Sequence, residues 1–234
     1  MECFFYENLN ETQRRITLSE LESKHTKALR IKIGEQVLIT NGCGLSASGI
    51  LSAYNKSGNE IEIKNFYQDL NELKQDITLA FGIPDNNDRL DMIVEKCTEL
   101  GAKELVPLIS KTVDVHARNI RSERLNAKSL SAIKQSKRSI LPSITEPVFL
   151  DDLVKNFDRW DLVILADENG ESKFELNNSS KILILTGPEG GFTKYEIDTI
   201  SNNPNVIKIS LSNTRLRAET AAIAALSNIV SRCI

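Results

Sequence analysis

The sequence predicts an α/β chain, with a small β-rich domain over residues 1–70 and a larger domain over residues 71–234 built on a mainly parallel sheet. Three observations predict it. Short strand-like runs broken by glycine turns fill the first part. Strands and helices alternate through the second. Two of those strands, Leu162 to Ala166 and Ile182 to Thr186, are unbroken apolar runs, as expected where both faces of a strand are buried.

In the first part, Val37 to Thr40, Ser48 to Tyr54 and Ile61 to Tyr67 read as strands, separated by Asn41-Gly42-Cys43-Gly44 and Ser57-Gly58-Asn59. One helix interrupts them, from Ser19 to about Leu29. The polar stretch Gln68 to Gln75 reads as a linker. Beyond it, Ile77 to Phe81 is a strand, and Asp88 to Leu100 a helix stopped by Gly101. Leu105 to Ile109 and Leu125 to Ser136 are the next strand and helix. Thr193-Lys194-Tyr195-Glu196 is a capping-box pattern opening a helix that ends near Ser201. Val206 to Leu211 is the last strand, and the last helix starts at Ala218.

The chain has 234 residues, 41% hydrophobic and 26% charged, enough apolar material for a core without a disulfide or metal staple. Cys3, Cys43, Cys97 and Cys233 form no Cys-x-x-Cys pair, which excludes a zinc ribbon or thioredoxin-like site and fits a reducing compartment. His25 and His116 stand alone, so no metal is expected and a packing or solvent role suits both. The N-terminal MECFFYENLN has no cationic stretch before an apolar run, and no run approaches the roughly 18 apolar residues of a membrane helix. A cytoplasmic protein with no membrane partner is expected.

Net charge is −3, but its distribution is uneven. From Lys111 to Arg138, eight Lys and Arg (Lys111, Arg118, Arg121, Arg124, Lys128, Lys134, Lys137, Arg138) face only Asp114 and Glu123. That segment carries +6, leaving −9 elsewhere. Local charge governs phosphate contact; a solvated basic helix face has the same composition.

Two segments suggest chemistry. Thr186-Gly187-Pro188-Glu189-Gly190-Gly191-Phe192-Thr193 joins a buried strand to a capped helix, at the sheet edge where ligands of open α/β folds sit. A tight turn alone would read the same way. A P-loop fails because position 192 is Phe, and the dinucleotide fingerprint fails at Gly42-Cys43-Gly44 because position 47 is Ala. The second segment, Leu211-Ser212-Asn213-Thr214-Arg215-Leu216-Arg217-Ala218-Glu219-Thr220-Ala221-Ala222, runs from the last strand into an Ala-rich helix. Arg217 and Glu219 at its start are the unusual feature, and a structural ion pair is the plainer account.

GPEGGFT followed by LSNTRLRAETA resembles the paired signature of the ribosomal RNA small subunit methyltransferase E family, the 16S rRNA uridine-N3 methyltransferases of the knotted SPOUT class. Lys96-Cys97-Thr98-Glu99-Leu100-Gly101 before Val106-Pro107-Leu108, Gln135-Ser136-Lys137-Arg138 before Leu141-Pro142, and His25 with Ala28-Leu29-Arg30 extend it over nearly the whole chain. The resemblance implies a PUA-like RNA-binding β-barrel domain followed by a SPOUT trefoil-knot domain. It implies S-adenosyl-L-methionine as cofactor, held by Leu165, Thr186, Gly187, Pro188, Glu189 and Gly190 on one wall and Leu211, Ser212, Leu216 and Ala218 on the other. The family usually has Gly where this chain has Ser212, and Ser is disfavoured if the backbone there takes a positive φ.

Uracil N3 lies on the Watson–Crick edge and carries a proton at neutral pH, so it must be exposed and the anionic ring stabilised. Arg217 is the candidate for that support, with Glu219 or a water as proton acceptor. Lys24, Lys27, Arg30, Arg118, Arg121, Arg124 and Arg138 are candidate RNA contacts. The implied partners are 16S ribosomal RNA, in the small subunit, and a second copy of the chain, with the last helix at the homodimer interface. A SPOUT enzyme acting on a ribose 2′-hydroxyl or a transfer RNA guanine, and a non-catalytic RNA-binding module, are the alternatives.

Overall fold

The computed structural model describes residues 1–113, 120–176 and 179–234. Two compact units divide the chain: Met1–Glu72 with Leu130–Leu141, and Leu73–Ser129 with Pro142–Ile234.

The first unit holds strands β1 (Glu2–Phe5), β2 (Arg15–Thr17), β3 (Gln36–Thr40), β4 (Leu45–Ala53) and β5 (Glu60–Gln68), and helix α1 (Glu20–Ala28). They form one sheet in the order β1-β3-β4-β5-β2, with β1 parallel to β3 and the other pairs antiparallel. Alternate residues, among them Val37, Ile39, Ile61 and Ile63, meet Phe4, Ile16 and Leu51 in its core. Neither β1 nor β2 was expected, because four and three residues are too short to carry a readable period. α1 begins where expected, its Ser19 hydroxyl accepting from the Glu22 amide. Its buried face is polar: Ser23 and Thr26 bond Asn59, and Glu22 pairs with Lys134 at 2.7 Å.

The stretch expected as a linker does contain the division between the units, after Glu72, and its end in the first unit is anchored. The Glu72 side chain, 2% exposed, pairs with Arg138 at 2.6 Å and accepts from the Ser139 and Ile140 amides at 2.9 Å each. Polarity suggested solvent; a buried ion pair uses the same residues.

The second unit is built from β6 (Asp76–Gly82), α2 (Asn87–Glu99), β7 (Glu104–Ile109), α3 (Ser122–Ser136), β8 (Ser143–Ile144), β9 (Val148–Phe149), α4 (Leu150–Val154), a 3₁₀ turn (Phe157–Arg159), β10 (Leu162–Glu171), β11 (Lys181–Thr186), α5 (Lys194–Ser201), β12 (Val206–Ile209) and α6 (Ala218–Val230). The unit division falls within α3, at Ser129. The sheet order is β12-β10-β11-β6-β7-β8, with β9 also on β7, and every pairing is parallel.

Both faces of this sheet are covered, which explains the unbroken apolar runs. Ile77, Leu79, Ile164, Ile182 and Ile184 pack against Leu90, Ile93 and Cys97 of α2 and Ala222, Leu226 and Ile229 of α6. Ala80, Val163, Leu183 and Leu185 pack against Leu150 and Leu153 of α4, Trp160, and Ile200 of α5. Each fully buried Ile or Leu contributes about 1.5–3 kcal/mol. Gly101 stops α2 as expected: it takes φ +104°, and the amides of Gly101 and Ala102 close onto the Thr98 and Cys97 carbonyls. β10 runs five residues past its expected end, with a bulge between Ala166 and Glu171 opposite Ile209. β12 stops at Ile209, before the expected Leu211.

Candidate functional site

Parallel register brings three strand ends to one edge. Leu165 lies level with Leu185, and Ala166 with Ile209. The extension of β10 beyond Ala166 and the segments beginning at Gly187 and Ser210 therefore meet at this edge. A cavity of about 410 Å³ opens there, lined by Ala166, Asp167, Glu168, Asn169, Gly187, Pro188, Glu189, Gly190, Gly191, Phe192, Ile197, Arg215, Leu216, Ala218 and Ala221. A second, of about 290 Å³, shares Ala166, Asp167, Glu168, Arg215, Leu216 and Ala221 with it and adds Ser210, Leu211, Ser212, Asn213 and Thr214. The glycine-proline segment and the segment after β12 thus wall the same space.

Sequence chemistry sets this geometry locally. Thr193 caps α5 as a capping box, its hydroxyl accepting from the Glu196 amide while the Glu196 carboxylate accepts from the Thr193 amide. Glu196 also accepts from the Lys111 amide at 2.8 Å, and the Thr112 hydroxyl donates to the Gly191 carbonyl at 2.7 Å, so the segment after β7 buttresses the glycine loop. Gly82 fixes where that loop starts. A Cβ there would lie 2.1 Å from the Pro188 nitrogen, so no larger residue permits this approach.

Charged groups link the two walls. Arg215 donates to the Glu189 carbonyl at 3.1 Å. Arg89, in the first turn of α2, pairs with Glu189 at 2.9 Å and lies 3.9 Å from the Glu219 carboxylate. Glu219 is 7% exposed, and its second carboxylate oxygen is buried without a hydrogen-bond partner among the described residues. The Thr186 hydroxyl is likewise buried and has no hydrogen-bond partner among them.

Of the expected cofactor-binding residues, Gly187, Pro188, Glu189, Gly190, Leu216 and Ala218 line the larger cavity, and Leu211, Ser212 and Leu216 the smaller. Leu165 and Thr186 line neither: Leu165 is fully buried core, and Thr186 is the last residue of β11. The concern over Ser212 does not arise. It is not among the positive-φ non-glycine positions of the described residues, and its hydroxyl accepts from the Thr214 amide at 3.1 Å.

Arg217 is the exposed N-cap residue of α6, and its side chain has no hydrogen bond or ion pair with the described residues. Glu219 lines neither cavity.

The expected RNA contacts separate sharply. Lys24, Lys27, Arg30 and Arg121 are exposed, Lys24 in an i,i+4 pair with Glu20. Arg124 is half-buried and paired with Asp91 at 3.1 Å. Arg118 lies outside the described residues, as does His116. Arg138 is corrected: at 2% exposure and bound to Glu72, it cannot reach a phosphate. Lys128 and Lys134 are also paired, with Asp91 and Glu22, so much of the basic segment is neutralised by acids distant in sequence. His25 packs edge-on against Phe4 at 5.8 Å between ring centroids. Among the described residues no cluster of His, Cys, Asp and Glu could hold a metal ion, and no helix is long and apolar enough to cross a membrane.

Arg89, Thr112, Asp167, Glu168, Asn169 and Arg215 escaped the sequence reading. Asp167-Glu168-Asn169-Gly170, a turn-like run after an apolar strand, carried a usable signal. Arg89 carried none, since its partner Glu189 lies 100 residues away.

Comparison with known proteins agrees with this geometry. The family model of the RNA methyltransferase domain matches residues 71–230. The ribosomal RNA small subunit methyltransferase E of Rickettsia conorii is 30% identical over 222 residues, covering 90% of this chain and 88% of the relative. That of Bacillus subtilis is 27% identical over 216 residues, covering 86% and 83%. A crystal structure of the Neisseria gonorrhoeae ribosomal RNA small subunit methyltransferase E bound to S-adenosyl methionine superposes with a TM-score of 0.85 at 25% identity, over 99% of this chain and 97% of that one. With the domain match spanning residues 71–230 and the Rickettsia relative 30% identical over 90% of this chain, the chain belongs to the ribosomal RNA small subunit methyltransferase E family.

Proposed function

We propose that this chain methylates N3 of a uridine in 16S ribosomal RNA, with S-adenosyl-L-methionine held between the glycine-proline loop and the segment after β12. One observation carries this reading: both segments line a single cavity at the carboxyl edge of a parallel sheet and are joined through Arg215 and Glu189. The residues fit the cofactor. Gly187, Gly190, Gly191, Ala166, Ala218 and Ala221 leave room in the wall for a flat adenine edge, and Asp167 and Glu168 bring carboxylates to a ligand whose sulfur is cationic.

Bound S-adenosyl-L-methionine supplies an electrophilic methyl group, so no metal is required. The chain's own task is alignment and charge stabilisation. Arg217, exposed at the start of α6 and with its side chain unpartnered among the described residues, is the cation for the negative charge that spreads onto uracil O2 and O4 when N3 gives up its proton. A water takes that proton; the Glu219 carboxylate, enclosed beside Arg89, is assigned an anchoring role. Lys24, Lys27, Arg30 and Arg121 contact phosphates.

The same reading makes the first unit a PUA-like RNA-binding domain and the second a SPOUT trefoil knot. For the knot, β12 is the sheet's edge strand, yet α6, which follows it, packs on α2, β11 and β6. The chain must cross back over β10 to get there. A Cβ at Gly170 would lie 2.4–2.7 Å from Ile209 backbone, and the Ser210 amide donates to the Glu171 carbonyl at 3.0 Å, so the crossing chain hugs the extension of β10. The enzyme acts in the cytoplasm on the small ribosomal subunit as a homodimer using α6; light scattering that gives a monomer would remove the dimer.

The test is calorimetry with S-adenosyl-L-methionine, then methylation of unmodified small subunits with nucleoside analysis. N3-methyluridine is the expected product. A 2′-O-methyl or methylguanine product would move the target, and absence of cofactor binding would favour a non-catalytic RNA-binding module.

A further inference from the structure

Arg89 lies between the glycine loop and the start of α6, the helix that follows the second wall of the cavity. Its guanidinium reaches Glu189 of the glycine loop at 2.9 Å and approaches Glu219 of α6 at 3.9 Å. Its base is rigid. Leu90, Ile93 and Cys97 of α2 are at most 2% exposed in the core, and Asn86 caps the helix through its side chain. The Asp85 amide also faces the Glu189 carboxylate, at 3.4 Å.

Two carboxylates around one guanidinium leave one negative charge in excess. Without Arg89 the buried Glu219 carboxylate and the partly exposed Glu189 carboxylate would face each other uncompensated, and like charges cost more there than in open water. Among the described residues the second oxygen of Glu219 has no hydrogen-bond partner, which leaves Arg89 as the cation beside that carboxylate. On the opposite wall, Arg215 already holds the carbonyl of Glu189. Glu189 is thereby gripped at both ends, its side chain by α2 and its backbone by the segment after β12.

We propose that Arg89 is a positioning residue for the methyl-donor pocket, setting the separation of its two walls through Glu189 and Glu219 without touching the donor. The proposal rests on the reading of that cavity as the S-adenosyl-L-methionine site.

Arg89→Ala and Arg89→Lys test it, with two readouts. Calorimetry with S-adenosyl-L-methionine measures the pocket, and amide hydrogen exchange of the ligand-free protein measures the loops. In Arg89→Ala the donor binds about tenfold more weakly or worse, the scale of a lost charged hydrogen bond. Exchange quickens at Gly190 and across residues 211–217, while the unfolding midpoint stays near wild type. The KM for the donor rises, with kcat and the KM for RNA little changed, and Arg89→Lys recovers part of the loss. Wild-type affinity together with wild-type exchange in Arg89→Ala overturns the proposal. If the wild-type chain itself fails to bind the donor, the pocket reading falls, and exchange in the ligand-free variants still decides the clamp. Should Arg89→Ala fail to fold, Glu189→Gln weakens the same link from the loop side. Faster exchange there supports the clamp, and wild-type exchange overturns it.

Discussion

Replacing Arg138 by Ala separates two readings of the same residue, one of a phosphate contact and one of a buried anchor. Arg138 and Glu72 are each 2% exposed at their side chains, with the closest contact 2.6 Å. Removing one partner of such a pair costs about 3–5 kcal/mol, because the other charge stays buried. Glu72 would keep the Ser139 and Ile140 amides, at 2.9 Å each, which places the loss at the lower end, about 3 kcal/mol. For a chain of this size, roughly 2–4 °C per kcal/mol gives a fall of about 6–12 °C in Tm. Replacing both partners by apolar residues does not restore stability, since those two amides would lose their acceptor at about 1–3 kcal/mol apiece. Urea unfolding followed by circular dichroism measures the loss, and fluorescence anisotropy against salt measures RNA binding. A stability change below about 1 kcal/mol, with RNA affinity weakened and its salt slope reduced by about one, would refute the buried-anchor argument.

Arg217→Ala should abolish methyl transfer while leaving S-adenosyl-L-methionine affinity within about twofold, since the Arg217 side chain has no bond to the described residues and its backbone bond to Ala221 survives the change; unchanged turnover in single-turnover assays removes it from the mechanism. Gly82→Ala should displace the glycine loop, because the new Cβ meets the Pro188 nitrogen at 2.1 Å; calorimetry showing undiminished cofactor binding would contradict this. Burial pushes the Cys3 thiol up to about 12 from an ordinary 9.0 and raises Cys97 further, whereas Cys43 is exposed. Iodoacetamide near pH 8 should therefore label Cys43 first, with Cys3 and Cys97 labelled only on unfolding, as peptide mass spectrometry would reveal. The unfolded chain releases these protons near pH 9 and the folded chain holds them, so their contribution to stability is complete below that pH and drains away above it. A flat unfolding midpoint from pH 8 to 11 would count against that burial.

What the sequence determined by itself was local or periodic. The apolar runs of β10 and β11 announced a sheet covered on both sides, Gly101 announced the end of α2, and Thr193 with Glu196 announced the start of α5, because each signal is complete within a few residues. The paired glycine-proline and LSNTRLRAETA segments were legible for the same reason. Tertiary structure alone decided which charges are free. Arg124, Lys134 and Arg138 read as one basic stripe with Arg121, yet only Arg121 is left exposed among these four, since Asp91, Glu22 and Glu72 arrive from elsewhere in the chain. It also brought Arg89 to Glu189 and Glu219, and level strand ends to a single cavity. A salt bridge depends on separation in space, and no pattern along the chain encodes a separation that only folding creates.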